Sequence, residues 1–558
     1  MKHLHTTSSK AYWRLWLAFV ITVIVGLPAT SSAQSGGYPT PAQVLAGWGG
    51  NDPFLDINDD GVVDAQDLSL AYSYQNNSSE PAPPKLVAGS GFSASTPQPP
   101  NQGSASLPGY NAKAMARWNF VPHQTFDTEF AIGVVAFHAY GINRVEFSLN
   151  GGPFAAVTQA TFNPMSNTVE YWATIDPELL ADGEYEVRAV AYPNNGVPRV
   201  LAGAMVPGAS GVNKGEYSMY FVADADFSMP RTQRFVSPNG SDTQGNGTRA
   251  NPFQTIMKAV HSIHTANGGK ADGGIVNLLA GNHNYGTYSW SYISTTQKRW
   301  LTIRPAPGVA SANAPIVSAT AGGIKLDHVK FERVTFRPNG STNTIILTPI
   351  GQPKLWLDRC VFQGVGQQSP GDWQNGWFKA WVTGGSLTGS ANGLFGDLIR
   401  DLSIDEVGSD AFSGNPLVVN STVGRIDASG TTFHPDVYQI YLPAGVAENF
   451  IVYGMRMLEN SNTQGLFTGN NVAVKDLAFV NVTLDTRGYG SWPHPWDLTA
   501  FGFAGPTNHM LVQDSTILGP AFWRTDMAFS ATDVVLRHNT WSYGGPQPNP
   551  LSGVTVID

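Results

Sequence analysis

Asp410, Asp436 and Gln464 sit in three short segments of similar pattern, GSDAFSG, HPDVYQIY and NTQGLFT. From Asp410 to Asp436 is 26 residues, and from Asp436 to Gln464 is 28. If the segments are strands in successive turns of a parallel coil, these side chains stack at about 4.8 Å. Two carboxylates that close repel, so one keeps its proton above the ordinary range unless a cation lies between them. Such a pair suits general acid/base chemistry or Ca²⁺ binding, and a purely structural polar ladder is the other reading. His434, Arg456 and Glu459 fall in the same turns and complete the expected catalytic set; Asp405 and Glu406 lie nearby. Phe412, Tyr438, Tyr441, Trp492 and Trp496 are expected to stack on the rings of a ligand. The Trp-rich insertions GDWQNGWFKAW and TRGYGSWPHPW are expected to wall a groove.

A second constellation lies near the N-terminus. In DINDDGVVDAQD, oxygen-bearing side chains fall at loop positions one, three, five, nine and twelve: Asp56, Asn58, Asp60, Asp64 and Asp67. Gly61 stands where the loop turns sharply, and Val62 would offer its backbone carbonyl. This is EF-hand spacing, which surrounds a hard cation with oxygens, so Ca²⁺ is the expected ligand. With the helical DLSLAYSYQ behind it, the segment Pro39 to Gln75 resembles a type I dockerin repeat. A dockerin carries two such loops. This chain shows one, so a calcium-stabilised module is expected rather than cohesin binding.

The elements that must carry these residues follow from composition and pattern. The chain has 558 residues, 13% charged, with a net charge of −9. An acidic chain is a poor partner for nucleic acid. Residues 1–33 read as a signal peptide: Lys2, Lys10 and Arg14, an apolar run from Leu15 to Leu27, and Ser31-Ser32-Ala33 before Gln34. The apolar run is short for a membrane span. A secreted or cell-surface chain with no stable membrane span after signal removal is therefore expected. The lone cysteine, Cys360, lies in the strand-like KLWLDRCVF and reads as core. Residues 34–75 form the calcium module, and 76–85 (NNSSEPAPPK) form a linker.

From 86 to 225, alternating runs such as EFAIGVVAFHA, RVEFSLNGG and EYEVRAVAYP are separated by Asn150-Gly151 and Asp182-Gly183 turns. They resemble bacterial immunoglobulin-like or fibronectin-like modules, which implies a β-sandwich. His123 and His138 are isolated there and read as structural.

From 226 to 558 the pattern changes. FVSPNGSDTQGNGTRANPFQTIMKAVHSI reads as a strand, a loop, then an amphipathic helix with Phe253, Ile256, Val260 and Ile263 on one face. VNLLAG follows as the start of the first coil. Similar strings begin at Val329, Leu355, Asp397, Val423, Ile451, Val472, Met510 and Val534, with Asn420 and Asn481 among recurring turn asparagines. The arrangement resembles pectate-lyase-like proteins. The resemblance implies a right-handed parallel β-helix whose open end is capped by the helix.

The fold class is thus mainly β: a parallel β-helix preceded by an immunoglobulin-like sandwich and a dockerin-like module. The resemblance implies an enzyme on an extracellular, possibly uronate-containing, polysaccharide. A lyase of this fold typically uses Ca²⁺ with a Lys or Arg base. Lys379 and Lys475 bracket a lysine-free stretch, which leaves Arg456, Arg425 or His434. A hydrolase needs two carboxyls, such as Asp410 with Asp436, or either with Glu459. A non-catalytic carbohydrate-binding or attachment protein is the alternative.

Overall fold

A computed structural model describes residues 82–90, 111–203, 217–229, 231–269, 271–284, 286, 298–317, 328–337, 354–364, 379–389, 393–426, 435–440, 446–458, 463–468, 473–486, 500–503, 506–519, 531–541 and 554–557. Residues 1–81 form one unit and residues 82–558 a second. The calcium loop 56–67 and the leader lie outside the described residues. No described helix is long and apolar enough to cross a membrane.

The first part of the second unit is two facing sheets. One orders Met115–Trp118, Phe130–Phe137, Thr168–Ile175 and Thr161–Asn163. The other orders Gln124–Phe126, Met219–Ala223, Gly183–Pro193, Ile142–Leu149 and Ala155–Val157, with Arg199–Val200 paired to Gly183–Pro193. The alternating runs put Ile132, Val145, Phe147, Ala189 and Phe221 into one core between the sheets. The β-sandwich expected from the hairpin signals is present, and Asn150-Gly151 takes left-handed backbone in its turn (φ 50° and 73°).

From Gln233 on, the described residues form a parallel solenoid, in which 24 strands among them, from Gln233–Val236 to Val554–Ile557, join in one sheet system. Three ladders run along it. The first stacks strands such as Val329–Glu332 on Lys354–Gln363 and then Lys379–Thr388. From Val329–Glu332 onward, one residue of left-handed backbone separates the positions of this ladder from those of the second: Arg333, Arg359, Gly384, Asp401, Asn420, Gly454, Asn481, Asp514 and His538. The third ladder stacks residues 394–396 on 412–414, then Asp436–Ile440, Gln464–Thr468 and Phe501–Phe503, while 398–400 and 417–419 continue the first ladder. Inward positions repeat apolar residues, as in the column Phe336, Phe362, Leu387, Ile404, Val423, Met457, Leu484 and Ile517. Each such buried side chain contributes roughly 1.5–3 kcal/mol.

The helix Ile256–Ala266 caps the open end. Thr255 Oγ1 accepts from the Lys258 N–H and donates to Asp242, whose other oxygen accepts from the Gln254 and Thr255 N–H groups. Ile256, Val260 and Ile263 lie buried against Val276 and Leu301. The first rung is Gln233–Val236, paired with Ile275–Leu278, so the coil begins one rung before VNLLAG.

The sandwich lies against the outer side of the first ladder. Met115, Val121, Val135 and Ala139 pack with Trp300, Trp356, Trp381, Ile451 and Leu511. Asn449 fastens the joint by exchanging two hydrogen bonds with the Ala116 backbone, at 2.9 and 3.0 Å.

Candidate functional site

Asp436 pairs with Gln464 across neighbouring strands, and Phe412 pairs with Tyr438. Asp410, Asp436 and Gln464 therefore occupy one column on consecutive rungs, in the expected register. The rungs are pinned by hydrogen bonds. The Asp436 N–H donates to Asp410 Oδ1 at 3.1 Å, and the Ala411 N–H donates to the Asp436 carbonyl at 3.0 Å. Thr463 Oγ1 and the Gln464 N–H both donate to the Pro435 carbonyl, at 2.8 and 3.2 Å.

The orientation differs from expectation. Asp410 is half-buried, whereas Asp436 is 0% and Gln464 5% exposed. Asp436 belongs to the strand Asp436–Ile440, whose Val437, Tyr438 and Ile440 fill the coil interior, whereas Asp410 lies ahead of its own strand, Phe412–Val419. Of the two acids, Asp410 is the one that reaches solvent. Phe412 and Tyr438 are also interior, with ring centroids 6.2 Å apart and Tyr438 6.0 Å from Phe450. Burial pushes the Tyr438 phenol up. Neither ring is placed to stack on a sugar.

Arg456 is exposed, but it lies on the second ladder, between Thr422 and Thr483, rather than on the strands of Asp410 and Asp436. Asp405 accepts from the Glu406 and Arg425 N–H groups, at 2.9 and 2.8 Å, and so serves its turn. Glu406 pairs with Arg425 at 2.8 Å with both side chains well exposed, a contact of small energy. His434, Glu459, Tyr441, Trp492 and Trp496 lie outside the described residues, as do Asp56, Asn58, Asp60, Val62, Asp64 and Asp67. Trp381, the last residue of the first Trp-rich insertion, is buried in the joint with the sandwich.

No family model and no curated protein matches this chain. Two solved structures are similar to it. One is a pectate lyase crystal structure, at 13% identity and a TM-score of 0.25, covering 59% of this chain and 75% of the other. The second is a family 28 exopolygalacturonase from Yersinia enterocolitica, at 10% identity and a TM-score of 0.30, covering 79% and 98%. The solenoid assignment rests on the strand register, not on these likenesses.

Two charged groupings escaped the sequence reading. On the outer side of the first ladder, Lys330 Nζ lies 2.8 Å from Asp358, 3.1 Å from Glu332 and 3.9 Å from the Trp356 ring centroid. Burial pushes the Asp358 carboxyl up. Lys330, Arg359 and the Thr383 hydroxyl outweigh that and hold it below the usual range. The signal was present, since VKFE and LWLD share one phase and stack Lys330 on Trp356 and Glu332 on Asp358. In the sandwich, Asp182, Asp224 and Asp226 bring carboxylate oxygens within 4.8 Å of one another. Their separation along the chain left no spacing to notice.

Proposed function

We propose that this chain is an extracellular carbohydrate-active enzyme that cleaves a polysaccharide by acid/base chemistry at the third ladder of the solenoid. The observation that carries the reading is the stack of Asp410 on Asp436. One carboxyl reaches solvent, and the next rung holds a second out of water. Unlike surroundings for two adjacent carboxyls are what a proton donor and acceptor pair calls for. Asp410 is the group that meets the substrate. Asp436 sits behind it, with its backbone N–H on Asp410 Oδ1. His434, Arg456 and Glu459 remain proposed partners, with Arg456 placed on the neighbouring ladder.

The lyase and hydrolase forms separate by product. The secreted full chain is offered a panel of uronate and neutral glycans. Absorbance at 235 nm reports elimination, and reducing ends report any cleavage. Activity on at least one glycan is expected, with Asp410→Asn lowering kcat/KM by about 100-fold or more and leaving the unfolding midpoint unchanged. The size follows from the contribution of a single acid/base group. Silence of both signals on every glycan sinks the enzyme reading. A second reading, a non-catalytic carbohydrate-binding or attachment protein, is favoured by the full burial of Asp436. It predicts retention on a glycan matrix without cleavage.

A further inference from the structure

Histidine meets histidine at two places where the sandwich and the solenoid join. At one, His123 of the sandwich and His328 of the solenoid have ring centroids 4.6 Å apart, and Lys354 Nζ lies 3.3 and 3.4 Å from their Nε2 atoms. At the other, His138 of the sandwich and His509 of the solenoid are 4.4 Å apart. All four rings are buried. His328 and His509 take the same left-handed backbone, φ 56° and 57°, His328 just before the strand Val329–Glu332 and His509 within Thr507–Gln513, one residue ahead of the first-ladder position Met510. The pairs thus mark two rungs along one seam.

The groups that face these rings differ. Beside His123 stand His328, the Lys354 ammonium, and the Tyr220 ring at 5.7 Å. Trp300 packs on His328 and donates to the Pro122 carbonyl at 2.6 Å. Beside His138 stand Tyr140 and His509. His509 Nδ1 lies 2.8 Å from Asp476, which also holds Arg199 at 2.6 Å; Arg199 reaches Glu448 at 3.0 Å, and Lys113 lies 3.7 Å from Glu448. A proton on His123 would therefore place a second cation against Lys354 away from water. A proton on His138 would be buried against His509; Asp476 favours it, but that carboxylate is already shared by His509 and Arg199. Such charges are costly in the dry joint and cheap in water.

We propose that the two cross-joint histidine pairs make the sandwich–solenoid contact a pH-gated clamp, closed while His123 and His138 are neutral and opened when these two rings take up protons in acid. Burial first, then the neighbouring cations, holds His123 well below its ordinary range; burial and His509 bring His138 to about 3. Released into water, each imidazole regains a pKa near 6.5. The open state then binds more protons below that pH, so the clamp is full strength above it and weakens as pH falls. Each ring contributes up to about tenfold per pH unit, and both together up to about 100-fold. Glu170, near the seam beside Arg400, works the other way. Burial raises it to about 7 despite hydrogen bonds from Ser166 and Asn163, so its contribution is present in acid and is lost as pH rises from its ordinary range through 7. It offsets about one ring in that window.

The test is hydrogen exchange on the full chain between pH 7.5 and 4, corrected for intrinsic rates. The Ala116 amide, which donates across the joint to Asn449, reports the clamp. Val418, inside the solenoid, reports its core. Ala116 protection is expected to fall about tenfold per pH unit below 6.5, and more steeply near pH 4, while Val418 holds. Glu170→Gln should steepen the first part, and His138→Gln should flatten the whole. Flat Ala116 protection in the wild-type chain overturns the proposal, whatever the variants do. Equal loss at Val418 also overturns it, since that is general acid unfolding. Acid dependence unchanged in His138→Gln removes this histidine from the clamp and overturns the two-pair form.

Discussion

Cys360 shows what one residue's surroundings decide. Its Sγ donates to the Phe331 carbonyl at 3.3 Å from inside the coil, and burial pushes the thiol up. The apolar frame of KLWLDRCVF made that position legible in the sequence. A thiol reagent should leave the native chain unlabelled over hours and label Cys360 within minutes in denaturant, because the thiolate is the reactive form. Rapid native labelling would contradict the burial. Asp436 is the contrary case. Its place in the column was legible from spacing, but its direction was not. Which parity of a strand faces the interior depends on where the chain turns the corner before it, and HPDVYQIY carries polar and aromatic residues on both parities. The same ambiguity hides the inward direction of Phe412 and Tyr438.

At the scale of the element, the repeating unit is a strand, a left-handed residue and a second strand. The strings at Val329, Leu355, Asp397, Met510 and Val534 share its phase. Those at Val423, Ile451 and Val472 do not: the units there begin at Pro416, Phe450 and Leu477. Alternating apolar residues fit several phases, and the turn residue that fixes the phase is Arg, Gly, Asp, Asn or His in different coils. Asn420 and Asn481, noticed as turn asparagines, are two of these positions. The cap was more legible, since a helical face of Ile256, Val260 and Ile263 has one period and one partner. Ile256→Ala should cost about 2–5 kcal/mol of stability, read from the urea midpoint. A loss under about 0.5 kcal/mol would mean that the helix does not seal the coil.

For the whole molecule, the order of parts was legible because each has its own hydrophobic period: alternation in the sandwich, then a longer recurring unit in the solenoid. The joint between them was not, since Met115 and Ile451 meet only after both parts have folded. His123 and His138 read as structural for want of a visible partner, and their partners turned out to lie across that joint. The N-terminal loop has its own expectation. Removing Ca²⁺ with a chelator should lower the melting of a peptide spanning residues 34–75 by more than 10 °C and leave the 82–558 unit unchanged in calorimetry. An unchanged transition would argue against a hard cation in that loop.

The seam also constrains how the chain can be cut. Trp300, Trp356 and Trp381 belong to the solenoid, yet their outer surfaces are shielded by another fold. Excision at residue 226 would strip that shield and leave a greasy ribbon across successive coils, the kind of patch that draws copies together. The smallest fragment fit for handling begins ahead of residue 82 and keeps both parts.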